Sequence, residues 1–353
     1  MNRPQSTSSS KILIWSLIVY VLLAIVVVIA GSILGGVKID FARGVQLLVD
    51  TIFRGADPMA QGNDAVIMIN MRMPRMILAL AVGGGLAVAG CAMQAITQNV
   101  LADPYILGLS SGASAMVAFC FLIFGSLLTN PLVVPLFAFL GAMLAMVLVY
   151  SLGMGGNVSG NSTNRLILTG MAVALILNAL GQFIITLLPN ALEKNSAAMW
   201  MWGSLSSARW SNLALPVLSS IIVTLLYTVI SDRFNLISLG ESTAVTLGMN
   251  TSLMRGFVMV TVSILTGVLI SSSGAIGFVG YIIPHTVRML FGADHKKLFP
   301  LAFFVGGLFL ACIEVLSRVL LAPKEVPIGI FCAFFGGPFF VYLIFRQNKT
   351  GRL

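Results

Sequence analysis

A succession of long apolar runs, separated by short polar breaks, constrains this chain more than any other feature. The first covers residues 12–35, a second opens at Arg72, and a short one opens at Gly108; others cover 131–153, 166–188, 213–230, 255–271, 298–320 and 329–345. About 20 apolar residues cross the hydrocarbon of a bilayer as a helix, and a helix satisfies its own N–H and C=O groups where no water is present. The pattern predicts an all-α integral membrane protein of about ten transmembrane helices, some broken. It further predicts one transmembrane domain over residues 1–353, with no separate soluble domain. Composition agrees, since 9% of the 353 residues are charged against about 25% in soluble domains.

One apolar stretch departs from the rest. Residues 274–295 carry Gly274, Gly277, Gly280 and Pro284 where an ordinary span carries Leu or Val. Hydrocarbon tolerates such interruptions only where the backbone is buried in protein or lines a cavity, so a broken, packed helix is expected. Arg288, Asp294, His295, Lys296 and Lys297 then mark an aqueous boundary. At the start of the second span, Arg72-Met-Pro-Arg75 places Pro74 in a first helical turn, where its missing N–H costs nothing. Gly83, Gly84, Gly85 and Gly90 give that span a small-residue face for close helix contact.

The formal net charge of +9 raises the question of nucleic acid. The cations lie between apolar runs rather than on a basic face interleaved with aromatics, which excludes it. The run 12–35 is too long for a signal-peptide core, so residues 1–11 read as a cytoplasmic tail. With both termini inside, a bare majority of Lys and Arg falls on the cytoplasmic side. Cys91, Cys120, Cys312 and Cys332 sit in apolar runs without metal-ligand spacing and read as free thiols. The methionines at 68, 71, 73 and 76 read as soft core. Glu314 and Arg318, four apart, share a helix face. No phosphate-binding Gly-x-x-x-x-Gly-Lys-Ser/Thr loop and no His-Glu-x-x-His occurs, and His285 and His295 share no metal spacing. No catalytic residue, cofactor or metal is expected.

The segment Gly274-Ala-Ile-Gly-Phe-Val-Gly280, with Pro284-His285 and Asp294-His295, resembles the signature of FecCD-type permeases. These are subunits of type II ABC importers for iron-siderophores, haem and cobalamin. Residues 94–115 are similar to the family block Gln-x-x-x-x-Asn-Pro-Leu-Ala-Asp-Pro-x-x-Leu-Gly-x-Ser-x-Gly-Ala, with Val100 in place of Pro. Trp200-Met-Trp-Gly-Ser-Leu205 and the segment from Leu239 to Asn250 resemble two further family segments. Ala322-Pro-Lys-Glu-Val-Pro-Ile-Gly329, with Val326 replacing Leu, and Gly336-Gly-Pro-Phe-Phe340 resemble its C-terminal pattern. The resemblance covers the chain from Arg72 to Phe345 and leaves the first span without a motif.

The resemblance implies a type II importer permease fold, and a multi-pass protein of the bacterial inner membrane with both termini cytoplasmic. Its implied partners are a second permease, identical or paralogous, two ATPase subunits that hydrolyse ATP, an extracytoplasmic substrate-binding protein and membrane lipid. The implied cargo is a ferric siderophore, with haem or cobalamin as alternatives. An ion-coupled secondary transporter is the competing class; it needs titratable groups at mid-membrane. The resemblance also assigns sites. Residues 232–253 form a cytoplasmic coupling segment, with Gly240, Glu241, Ala244, Leu247 and Gly248 against the ATPase. Asn99, Ser162 and Thr163 form a cytoplasmic gate. Arg72, Arg75 and Arg318 receive acidic residues of the binding protein. Trp200, Trp202 and Trp210 read as interfacial anchors.

Overall fold

The computed structural model describes residues 6–100, 102–125, 130, 132–154 and 162–350, which are helical with no strand among them. Helix α1 (Ser6–Ile33) leads to a surface helix, α2 (Phe41–Arg54), then to a turn at Asn63–Ala65 and a π-helical turn at Val66–Arg72 that enters α3 (Met73–Thr97). After a 3-10 turn at Pro104–Leu107 come α4 (Leu109–Phe124), α5 (Val133–Met154), α6 (Ser162–Leu187) and α7 (Ala191–Met201). The second half contains α8 (Ala214–Val229), α9 (Ser231–Ser238), α10 (Glu241–Thr246), α11 (Thr251–Ser273), α12 (Val279–Phe291), α13 (His295–Val319) and α14 (Ile328–Thr350).

Five of these stretches are long and apolar enough to cross a membrane: Asn63–Thr97, Val133–Gly153, Arg165–Leu187, Thr251–Ser273 and His295–Val319. A sixth arises if α8 and α9, bent by 64°, are taken together, and Ile18–Ile33, Leu109–Phe124 and Ile328–Phe339 are shorter apolar helices. Of the ten expected spans, the length criterion is therefore met by five or six.

α3 is the axis of the bundle. Its apolar window is 89% buried, against 28% and 22% in α5 and α6, whose outer faces are exposed. Burial of this degree is possible because its glycines admit neighbouring backbones. A Cβ on Gly83 would overlap the carbonyl of Gly306 in α13, and one on Gly90 would overlap the carbonyl of Gly280 in α12. The small face read from the sequence is thus the contact face.

The broken stretch is also found. α11 stops at Gly274, where φ is +66°, and α12 starts only at Val279, after Phe278 in the left-handed region at φ +70°. The freed polar groups find partners inside the protein, as the absence of water in a bilayer requires. Ile276 N donates to the Tyr105 hydroxyl at 3.0 Å. The carbonyl of Ser273 accepts from Ser204 N, and Gly203 O and Trp202 O accept from Ile328 N and Gly329 N. The Trp-Met-Trp-Gly-Ser segment therefore acts as a seam that joins the break to the start of α14.

The polar region between the first apolar run and Arg72 holds a helix, α2, that the apolar pattern did not single out. The Asp40 side chain accepts from Ala42 N and Arg43 N, Gly55 ends the helix at φ +65°, and Gly44, Leu47 and Leu48 bury one face. Asp40 was a legible N-cap signal.

Candidate functional site

At the end of the bundle where α1 finishes, α3 begins and α13 finishes, three arginines converge with two glutamates. Arg72 and Arg75 are three apart on the helix but take different partners. Arg72 reaches the C-terminus of α1, donating to Ile33 O at 2.6 Å, Val37 O at 2.7 Å and Ser32 O at 3.4 Å. These carbonyls lack intrahelical partners at a helix end, where a cation is also favoured by the helix dipole. Arg75 donates from Nη1 to both oxygens of Glu325 at 2.9 Å. It also lies 3.9 Å from Glu314. Arg318 pairs with Glu314 at 3.2 Å and donates to Gly31 O at 2.9 Å. All three arginines are buried, with relative exposures of 5%, 8% and 3%, rather than standing on a rim. Glu325 alone leaves the cluster half open, its side chain 48% exposed.

At the opposite end, α3 stops at Gln98 in the left-handed region, and Gln98 Nε2 donates to Ile237 O at 2.7 Å. Asn99 sits in the following turn, partly buried, with its carbonyl accepting from Ala102 N. Asp103 then caps the 3-10 turn, its Oδ1 accepting from Tyr105 N at 2.8 Å. Its other oxygen is buried beside Gly280 without a hydrogen bond. Next to it, Gln94 donates to Gly280 O at 3.3 Å and accepts from Arg288. The link thus ties α3 to α12.

Burial pushes the Asp103 carboxyl up to about 6, while the bond from Tyr105 N pulls it down. Because an unfolded Asp titrates near ~3.9, folding favours the neutral form. That contribution is present in full below the unfolded value and is lost as pH rises through the folded one. Asp103→Asn keeps the cap and removes the titration. The wild-type unfolding free energy, compared with that of the variant, should fall by on the order of 2 kcal/mol between pH 4.5 and 7.5. A constant difference over that range would show that the carboxylate is charged and hydrated.

On the same end, Gly240 at φ +111° turns the chain into α10. Glu241 pairs with Arg255 at 2.8 Å and accepts from Thr251 Oγ1 at 3.2 Å, which pins α10 to the start of α11. Ala244 is buried, whereas Leu239, Val245 and Leu247 are 66%, 54% and 61% exposed. Gly248 at φ +82° meets nothing within 4 Å.

The FecCD transport family matches residues 14–346 of this sequence. The chain belongs to that family. It is 37% identical over 296 residues to the hemin transport system permease protein HmuU of Yersinia pestis, covering 81% of this chain and 86% of that one. It is 33% identical over 348 residues to the iron(3+)-hydroxamate import system permease protein FhuG of Bacillus subtilis, covering 97% and 99%. Among solved structures it resembles an inward-facing conformation of a metal-chelate type ABC transporter, with a TM-score of 0.78, 28% identity, and coverage of 94% and 98%.

FecCD permeases are non-catalytic transport subunits, and the described residues contain no group of His, Cys, Asp and Glu suited to a metal. In this family member the structure brings Arg72, Arg75 and Arg318 to one end, and Asn99, Gly240, Glu241, Ala244, Leu247 and Gly248 to the other. Ser162 and Thr163 open α6, but their side chains lie outside the described residues. Sequence reasoning passed over Glu325, which pairs with Arg75 across 250 positions. It also passed over Leu239 and Val245, whose only signal was an apolar side chain in a polar link.

Proposed function

We propose that this FecCD permease is the membrane-spanning subunit of a metal-chelate ABC importer, a single domain of ten spans in a bacterial inner membrane with both termini cytoplasmic. The spans are α1, α3, α4, α5, α6, α8, α11, α12, α13 and α14. A second permease copy or paralogue, two ATPases and an extracytoplasmic binding protein complete the assembly. The observation that carries this reading is the likeness, over nearly the whole chain, to a metal-chelate type ABC transporter. The cargo is a ferric siderophore, supported by similarity over 97% of the chain to a ferric-hydroxamate permease. Haem is the second reading, favoured by the higher identity to the hemin permease. Cobalamin would pass by the same mechanism. The test is uptake into proteoliposomes holding the permease with its co-purified partners, offered ferric hydroxamate, haem and cobalamin. ATP-dependent uptake of the ferric chelate is expected; uptake without ATP would instead favour an ion-coupled transporter.

The arginine cluster is the docking point for the binding protein, with Arg75 the group that meets an incoming carboxylate. Glu325, half exposed, is the partner that such a carboxylate displaces, since a guanidinium binds carboxylate in two-point fashion. Arg72 and Arg318 hold the platform from beneath. Asn99 with Ser162 and Thr163 close the inner end of the path, small polar groups that part at little cost.

Residues 232–253 seat in the ATPase through Gly240, Glu241, Ala244, Leu247 and Gly248. Exposed Leu239, Val245 and Leu247 on a polar face support this, because such side chains are covered in an assembly. Glu241→Lys breaks the pair with Arg255 and loosens α10. ATPase co-purification should drop about tenfold, a loss of ~1.4 kcal/mol, while membrane insertion is unchanged. Wild-type co-purification together with wild-type uptake in this variant would remove the assignment.

A further inference from the structure

A cavity of about 530 Å³ lies between α9, the end of α10 and the first turns of α11. Ile230, Leu236, Leu253 and Phe257 line it, and Arg233 is its one charged residue. Arg233 is exposed, and its guanidinium pairs with no carboxylate among the described residues. The nearby acids are taken or aimed elsewhere. Glu241 holds Arg255, Asp294 accepts from Asn235 and from Lys296 N, and Asp232 is not part of the lining. Asn250, also in the lining, uses its Oδ1 to cap α11 and keeps its amide N–H groups to donate.

The cavity has a polar end and an apolar end at different depths. Asn250 marks the aqueous start of α11, and Phe257 lies seven residues further, about 10 Å along the axis. Phe257 also begins an exposed stripe with Val260 and Ile264, while Leu225 and Val229 are exposed on α8. Such stripes on long apolar helices face hydrocarbon. A soluble partner would have to push a side chain to that depth, where an acyl chain already lies.

We propose that this cavity is a binding site for an anionic phospholipid of the surrounding bilayer, the phosphate on Arg233 and an acyl chain along Leu253 and Phe257. Guanidinium is the side chain best matched to phosphate, and basic pockets between helices at the membrane boundary take anionic head groups. The inference rests on the proposed function, in which α8 and α11 lie in a bilayer and the cavity shares Leu247 and Gly248 with the ATPase seat. Because Leu247 and Gly248 also line the cavity, a bound lipid braces the end of α10.

The test uses the full chain in a non-ionic detergent, incubated with phosphatidylglycerol or phosphatidylcholine, with retained lipid counted by native mass spectrometry. Phosphatidylglycerol should be retained about tenfold over phosphatidylcholine, and Arg233→Gln should remove that preference, as expected when a charge-assisted contact worth ~1.4 kcal/mol is lost. Phe257→Trp fills the apolar end and should reduce retention of both lipids. Unfolding temperature gives an independent reading: phosphatidylglycerol should raise it for the wild type and, for Arg233→Gln, no more than phosphatidylcholine does. A wild type without head-group preference, or Arg233→Gln with the preference intact, overturns the proposal. So does an Arg233→Gln variant that keeps its lipid but loses its ATPase, which would assign the cavity to a protein partner.

Discussion

Glu314→Ala should lower the stability of the folded permease by about 3–5 kcal/mol, the cost of leaving a buried charge without its partner. Glu314 and Arg318 each have side chains 3% exposed, and Glu314 lies between Arg318 at 3.2 Å and Arg75 at 3.9 Å. Its removal leaves Arg318 with carbonyl partners and no carboxylate in contact. Arg75 retains Glu325, so the damage is concentrated on one guanidinium. Glu325→Gln is the informative contrast: that carboxylate is 48% exposed, water screens the pair, and a loss within about 1 kcal/mol is expected. Chemical unfolding of the purified chain in detergent measures both. A loss under about 1 kcal/mol for Glu314→Ala would mean that carbonyl oxygens and dipoles alone neutralise Arg318, and that the glutamate is dispensable.

The cluster also shows where sequence reasoning stops. Glu314 and Arg318 were legible as a pair because a helix brings positions four apart together, and the structure contains that pair. The convergence of Arg72, Arg75 and Arg318 on one end followed from counting spans. Their burial did not, since an alternation of apolar runs says nothing of what covers a helix end. That Arg72 and Arg75 take different partners was not legible either, because these are set by where the end of α1 and the loop carrying Glu325 pack, not by the three-residue spacing. Glu325 was invisible as a partner because its position is set by a loop packing back from α13, not by periodicity.

The broken stretch was legible for the opposite reason. Glycine and proline in a run that must lie in hydrocarbon leave few physical outcomes, and one of them, a break packed in protein, is present. Who supplies the hydrogen bonds was not legible. Tyr105 and the 203–204 backbone come from far along the chain, brought there by helix contacts that no local pattern encodes. Trp210 is a smaller instance: it is partly exposed, as an anchor should be, yet its Nε1 donates to Ile69 O at 3.0 Å. The same ring steadies the π-helical turn.

Gly90→Val is expected to destabilise the permease by about 3 kcal/mol, at the upper end of what overpacking costs. A flexible neighbour would yield, but here the obstruction is backbone: the added Cβ would overlap the carbonyl and Cα of Gly280. Relief requires α12 to move away from α3. That movement would pull Gly280 O from Gln94 Nε2 and carry Arg288 away from Gln94 Oε1, so the damage reaches the link that Asp103 caps. Valine also stiffens the helix at χ1, but this is a few tenths of a kcal/mol and is offset by the gain over glycine in a helix interior. Gly337→Ala in α14 is the control, since a Cβ there meets nothing within 4 Å. It should leave the isolated chain as stable as the wild type or slightly more so, by up to about 1 kcal/mol. Unfolding midpoints in detergent, read by tryptophan fluorescence, distinguish the two. Wild-type stability in Gly90→Val would mean that α3 and α12 do not meet through their backbones, and the glycine face of α3 would then need another explanation.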